Sequence, residues 1–171
     1  MEELNYMNWK KINIESKNLL QLLTKNLLNI SFAESCTGGM ISSAIIHNPG
    51  SSNILNNSYI TYSNESKMRE LGVTKQILSN FGSVSQECCL MMLNGLLKKT
   101  NANVGIAVTG IAGPGGSSKE KPVGTVWVGY GSQKKQMSKK FIFAGNRLEI
   151  RLQTTLISLQ KINKFIVENY P

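Results

Sequence analysis

The sequence predicts an α/β layered domain, and three observations carry that expectation. Apolar residues alternate along the chain between short runs of strand length and longer stretches at helical spacing, the pattern of a sheet packed against helices. Val104 to Thr109 is a near-continuous apolar run, as expected of a strand covered on both faces. Neither an internal repeat nor a linker divides the 171 residues, so residues 1–171 are expected to form a single domain around one core.

Each element follows from local chemistry. Leu19, Leu20, Leu23, Leu27 and Leu28 recur at helical spacing, which predicts an N-terminal amphipathic helix ending between Asn26 and Asn29. Ile30 to Ala33 reads as a short strand. The turn Glu34-Ser35-Cys36-Thr37-Gly38-Gly39 then leads into a helix carrying Met40, Ile41, Ala44, Ile45 and Ile46, stopped by Asn48-Pro49-Gly50. Ser58 to Tyr62 reads as a second strand, and Asn64-Glu65-Ser66-Lys67 as the capped first turn of a short helix reaching Leu71. Ser83-Val84-Ser85 caps a helix with Leu90, Leu93, Leu96 and Leu97 facing inward. Beyond the apolar run, Gly110 to Pro122 is a Gly/Pro-rich loop. Val123 to Gly131 and Met137 to Phe143 pair as a hairpin around Ser132 to Gln136. Asn146 and Glu149 form a capping box for a last helix whose Leu148, Leu152, Thr155, Leu159, Ile162 and Ile166 define a core face.

Composition removes several chemistries. All ten acidic residues are glutamates, so a Ser-His-Asp triad, an EF-hand loop and an Asp-held magnesium site are excluded. His47 is the sole histidine, and the cysteines are Cys36, Cys88 and Cys89, which leaves no Cys/His zinc site of the usual spacing. No metal is expected, and the thiols are expected to be reduced. No apolar run approaches the roughly 20 residues of a membrane span. The opening residues also lack the apolar stretch of a secretory signal, so a cytoplasmic location and no membrane partner are expected. The net charge of +9 is scattered, with only Arg69, Arg147 and Arg151 as arginines. A coding bias toward Asn, Ile and Lys accounts for it, and nucleic acid is not expected as a partner.

Chemistry could sit at four places. The turn before the helix at Met40 offers Ser35, Cys36 and Thr37 beside unsatisfied N–H groups able to hold an anion; alternatively Ser35 or Thr37 only caps that helix. A serine nucleophile needs a base. His47 lies twelve residues after Ser35, roughly 15–18 Å away along a helix, which leaves a glutamate or a neutral lysine. Lys67 is a candidate because the positive end of a helix disfavours a further ammonium; the alternative is an exposed first-turn lysine. The loop from Gly110 fails both the P-loop and the Rossmann patterns, and is either a ligand-approaching backbone or a plain wide turn. Arg147 and Arg151, at i and i+4, could grip a phosphate together or line a solvated helix face. Cys88-Cys89 reads as packing.

Seven stretches together resemble one family, the C-terminal domain of the CinA competence-damage proteins, whose stand-alone members are nicotinamide mononucleotide amidases. They are Ala33–Gly39 (AESCTGG), Gly50-Ser-Ser52, Thr61–Lys67 (TYSNESK), Leu71-Gly-Val73, Gly82–Ser85 (GSVS), Val108–Pro114 (VTGIAGP) and Glu120–Val126 (EKPVGTV), in family order across residues 15 to 168. The resemblance implies a single three-layer α/β domain, a central mixed sheet flanked by helices. It implies hydrolysis of the carboxamide of nicotinamide mononucleotide to the acid and ammonia in pyridine-nucleotide recycling, with no metal or cofactor.

Carried over by position, the resemblance makes Ser35 the nucleophile, Lys67 its neutral-amine base, and Tyr62 a hydroxyl that bonds within this group and helps move the proton. Thr37, Gly38, Gly39, Ser52, Thr109, Gly110, Gly113 and Arg147 would line the substrate pocket, the arginine on the phosphate. A homodimer and a stand-alone member are implied as well. Two residues depart from the family pattern: Asn146 replaces an acidic residue, which is expected to loosen Arg147, and Ser117 replaces a glycine. The competing expectation is a CinA-like module that binds a nucleotide or a protein without catalysis.

Overall fold

The computed structural model of the chain describes residues 2–170, with side chains from residue 5 onward. The elements are α1 (Glu2–Lys25), β1 (Ile30–Glu34), α2 (Met40–Ile46), a 3-10 turn (Ser51–Asn53), β2 (Leu55–Ile60), α3 (Asn64–Leu71), α4 (Lys75–Phe81), α5 (Gln86–Thr100), β3 (Val104–Gly110), β4 (Thr125–Gly131), β5 (Gln136–Ile142) and α6 (Arg147–Asn169). The strands form one sheet in the order β2-β1-β3-β4-β5. β1 lies parallel to both β2 and β3, and β4 and β5 continue antiparallel. The sheet is therefore mixed, as the resemblance implies.

Strand alternation builds the three layers. Phe32 of β1 with Ile106 and Val108 of β3 faces α1, α2 and α6, in a core with Leu19, Ile41, Ile45 and Leu159. Ala33 and Ala107, one residue out of step, face α5 and pack with Cys88, Cys89, Met92 and Leu93. Small residues on that face let α5 sit close. At Gly95 a Cβ would stand 1.9 Å from Leu71 O, so only glycine allows α3 to end against the middle of α5. No helix of the described residues is long and apolar enough to cross a membrane.

Three elements differ from the sequence expectation. The second strand is Leu55–Ile60 rather than Ser58–Tyr62. It is an edge strand, largely exposed and asparagine-rich, so pairing with β1 sets its limits and apolar alternation does not. α4 lies in a segment without a helical apolar pattern. Capped by Thr74, it packs only Ile77 and Leu78 inward. α1 stops at Lys25, and Leu27 adopts φ 54 with 92% exposure, so it turns the chain and does not join the apolar stripe.

The register aligns the carboxyl ends of the three parallel strands, with Ala33 opposite both Tyr59 and Ala107. Ser35, Thr61-Tyr62 and Thr109-Gly110 consequently emerge side by side. That edge is where open α/β sheets present their ligand sites.

Candidate active site

Ser35 follows the last residue of β1, on a turn made possible by Gly38 (φ 61) and Gly39 (φ 90), both left-handed. The turn is closed by the Gly38 N–H donating to Ser35 O at 3.1 Å. Glu34, fully buried, supplies its other support. Its carboxylate accepts from the N–H groups of Gly39 (3.0 Å), Ile41 (3.1 Å) and Ser42 (2.9 Å) and from Ser42 Oγ, which also bonds Ser58 Oγ on β2. The cap of α2 is thus Glu34 and neither Ser35 nor Thr37. This frees the Ser35 hydroxyl for another use.

Lys67 takes up that hydroxyl. Its position in the first turn of α3 sends the side chain back toward the helix N-terminus, where Nζ lies 3.0 Å from Ser35 Oγ, 2.7 Å from Thr61 O and 3.2 Å from Tyr62 O. The residue is 2% exposed, so it is no solvated first-turn lysine. Among the described residues no carboxylate pairs with it; the ion pairs join Arg69 and Lys99 to Glu70, and Lys164 to Glu168. Burial lowers its pKa from the ordinary 10.5. The opposing influences are the sulfurs of Cys88 and Cys36, and burial pushes those thiols up to about 11 and about 12, which keeps them uncharged.

In the neutral form the amine has two N–H groups for the two carbonyls and one lone pair for the Ser35 O–H. The geometry therefore fits a nucleophile and its base. Cys36 sits beside Ser35, but it is the Ser35 hydroxyl that the Lys67 amine bonds, and burial pushes the neighbouring thiol up to about 12.

Arg147, the first residue of α6, bridges the opening. Nη1 donates to Gly113 O at 2.7 Å and Nη2 to the Tyr62 hydroxyl at 2.8 Å. The Tyr62 hydroxyl thus bonds the arginine, and what Tyr62 gives to Lys67 is its main-chain carbonyl. Asn146 stands just ahead of Arg147 at the start of α6. It caps α6 in a complete capping box with Glu149, and the arginine has partners of its own. Arg151 does not join Arg147 in a phosphate fork: its Nε and Nη2 both donate to Thr37 O, at 3.2 and 2.7 Å.

A cleft of about 140 Å³ is lined by Ser35, Cys36, Tyr62, Lys67, Ser83, Val84, Thr109, Gly110, Ala112 and Arg147. Of the predicted pocket residues, Thr109, Gly110 and Arg147 reach it. Gly113 borders it through Arg147. Thr37, Gly38 and Gly39 belong to the Ser35 turn but are not among the residues lining the cleft, and Ser52 is exposed on the 3-10 turn beyond the far end of α2, a helix about 10 Å long. Thr109 Oγ1 donates to Ser83 O at 2.7 Å, tying the start of α5 to the cleft wall. Ser83 and Val84 also line the cleft; the sequence marks them within the GSVS stretch and as the approach to a helix cap, with no site role.

The fold and site define an α/β domain with a buried serine–lysine pair at the carboxyl edge of its parallel strands. The CinA C-terminal domain profile matches residues 13–166, and the chain belongs to that family. A CinA-like protein of Endomicrobium trichonymphae is 46% identical over 150 residues, covering 88% of this chain and 35% of the relative. A putative competence-damage inducible protein of Clostridioides difficile is 47% identical over 135 residues, covering 79% and 32%. The chain spans about a third of the length of these curated relatives. Among solved structures, the competence/damage inducible protein CihA of Agrobacterium tumefaciens superposes with a TM-score of 0.87 at 38% identity, covering 88% of this chain and 93% of the other. The competence damage-inducible protein A of Klebsiella pneumoniae gives 0.89 at 26% identity, covering 94% and 99%.

Proposed function

We propose that this protein is an amidase that hydrolyses the carboxamide of nicotinamide mononucleotide to nicotinate mononucleotide and ammonia. One observation carries the reading: the buried Lys67 amine, with no carboxylate partner among the described residues, lies 3.0 Å from the Ser35 hydroxyl. Lys67 takes the Ser35 proton as the oxygen attacks the carboxamide carbon, and the resulting ammonium returns that proton to the departing nitrogen as ammonia leaves. A water then attacks the seryl ester with Lys67 again as base, releasing the acid and restoring the O–H. Each group returns to its starting state.

The cleft of about 140 Å³ is smaller than the roughly 300–1,000 Å³ that encloses a whole ligand. It suits the ring and its carboxamide, and the ribose phosphate would lie across the rim beside Arg147, which retains N–H groups to donate. Purified protein incubated with nicotinamide mononucleotide should release ammonia. Mass spectrometry of an acid-quenched reaction should find the nicotinate mononucleotide ester on Ser35. Tight binding measured by calorimetry without ammonia release would replace this reading with the non-catalytic binding module.

A further inference from the structure

We propose that Arg151 is a positioning residue for Ser35, holding the peptide between Thr37 and Gly38 so that the serine turn keeps its reactive shape. The inference rests on Ser35 as the nucleophile. It moves Arg151 from the substrate phosphate to the protein's own backbone.

The turn carrying Ser35 has few bonds of its own. Between the end of β1 and the start of α2, the N–H of Gly38 donates to Ser35 O. The carbonyl of the same Thr37–Gly38 peptide points to the other side, where Arg151 meets it with two N–H groups at 3.2 and 2.7 Å. That peptide plane is thereby pinned at both ends, one end on Ser35 itself. The guanidinium also lies against Gly38, where a Cβ would stand 3.5 Å from Nη2 and the backbone is left-handed at φ 61. Glu34 clamps the following N–H groups of Gly39, Ile41 and Ser42. A carboxylate on the amide side and a guanidinium on the carbonyl side thus hold the turn from two layers of the fold.

Alternative duties for Arg151 find no support. Among the described residues it forms no ion pair with a carboxylate, and it is not among the side chains lining the cleft. Thr37 is fully buried with the arginine in place, so loss of the arginine would take from its carbonyl both of the N–H donors that hold it. The peptide would rotate to find another partner and carry Ser35 with it. Misplacements of about 1 Å in a reacting group can lower rates by about a hundredfold.

The test uses two readouts on the intact protein, the rate at which a small fluorophosphonate labels Ser35 and steady-state kinetics on nicotinamide mononucleotide. Arg151→Ala should lower both the labelling rate and kcat by about 10–100-fold with KM within about threefold. The pH midpoint should stay in place, because the Lys67 contacts are intact. Added guanidinium ion should recover part of the loss where methylammonium does not, and Arg151→Lys, with a single-point donor, should fall between. If Arg151→Ala does not fold, Arg151→Lys carries the comparison. Labelling of a folded Arg151 variant at the wild-type rate, or a raised KM with unchanged kcat, would overturn the proposal. Wild-type protein that is labelled at Ser35 yet releases no ammonia overturns the proposed substrate, while the labelling rates still decide the role of Arg151. Absence of labelling in the wild type overturns both.

Discussion

Lys67 Nζ lies 3.0 Å from Ser35 Oγ, and its other two contacts, Thr61 O and Tyr62 O, are carbonyl oxygens that can only accept. Two carbonyls and one hydroxyl accommodate either the three N–H donors of the ammonium or the two N–H groups and lone pair of the neutral amine, and burial favours the neutral form. Several outcomes follow from that arrangement and its surroundings.

Lys67→Ala should lower kcat by about 10²–10⁴ on removal of the base. Lys67→Arg should not rescue it, because a guanidinium stays protonated and cannot accept the serine proton. Ammonia release under saturating substrate measures both. A Lys67→Ala enzyme with wild-type turnover would remove lysine from the mechanism.

The pH dependence has a fixed sign. Lys67 acts as base only when neutral, so kcat/KM should rise with pH through a midpoint below 10.5, the direction in which burial moves this amine. Stability shares the sign. Between the lowered folded pKa and 10.5 the unfolded chain binds more protons than the folded one, so the Lys67 contribution to stability increases with pH across that window. Any stability advantage of Lys67→Met over wild type should therefore shrink as pH is raised from about 7 to about 10. Urea denaturation at both pH values measures it, and a pH-independent difference would contradict the assignment.

Tyr62→Phe removes the bond from Arg147 and keeps the carbonyl that Lys67 uses. A lost hydrogen bond of about 0.5–1.5 kcal/mol should appear as a KM raised about 2–10-fold, with kcat nearly unchanged. A large fall in kcat would instead return the hydroxyl to the proton path.

Glu34→Gln places an amide NH₂ among the N–H groups of Gly39, Ile41 and Ser42 that now share a carboxylate. Donors facing donors should cost about 1–3 kcal/mol or more. Thermal unfolding should show a lower Tm and ammonia release a reduced rate, both from one misshapen turn.

The three thiols should resist alkylation in the native state. Cys36, Cys88 and Cys89 are buried, and burial raises all three, Cys36 to about 12 and Cys88 to about 11. Iodoacetamide at about pH 8 should leave the folded protein unmodified by mass and label every cysteine after denaturation. Fast native labelling of Cys36 would reopen it as the nucleophile.

Much of the fold was legible in the chain itself. Strong apolar runs at Ile30 and Val104, the capping box of Asn146 with Glu149, and the helix cap at Ser85 are local signals, and the strands and helices form where those residues stand. The edge strand β2 and the short α4 were less legible, since exposed segments carry no apolar period and their limits come from pairing and contact. The pair at the centre of the site was approached by elimination. With no aspartate and a distant His47, Ser35 still had glutamate or lysine open as its base, and motif resemblance pointed to Lys67.

Tertiary structure alone decided what each side chain faces. Residue types and spacings determine which groups are available, whereas bonds spanning 32 residues from Lys67 to Ser35, 85 from Arg147 to Tyr62 and 114 from Arg151 to Thr37 exist only once three strands align their carboxyl ends. Glu34 read as one residue of a turn and became its brace. Tyr62 offered a hydroxyl and contributed a carbonyl. Arg147 and Arg151, neighbours on one helix face, parted because one meets the cleft mouth and the other meets the back of the serine turn. The direction of a polar group is set by the partner that folding brings to it, and a one-dimensional pattern does not hold that information.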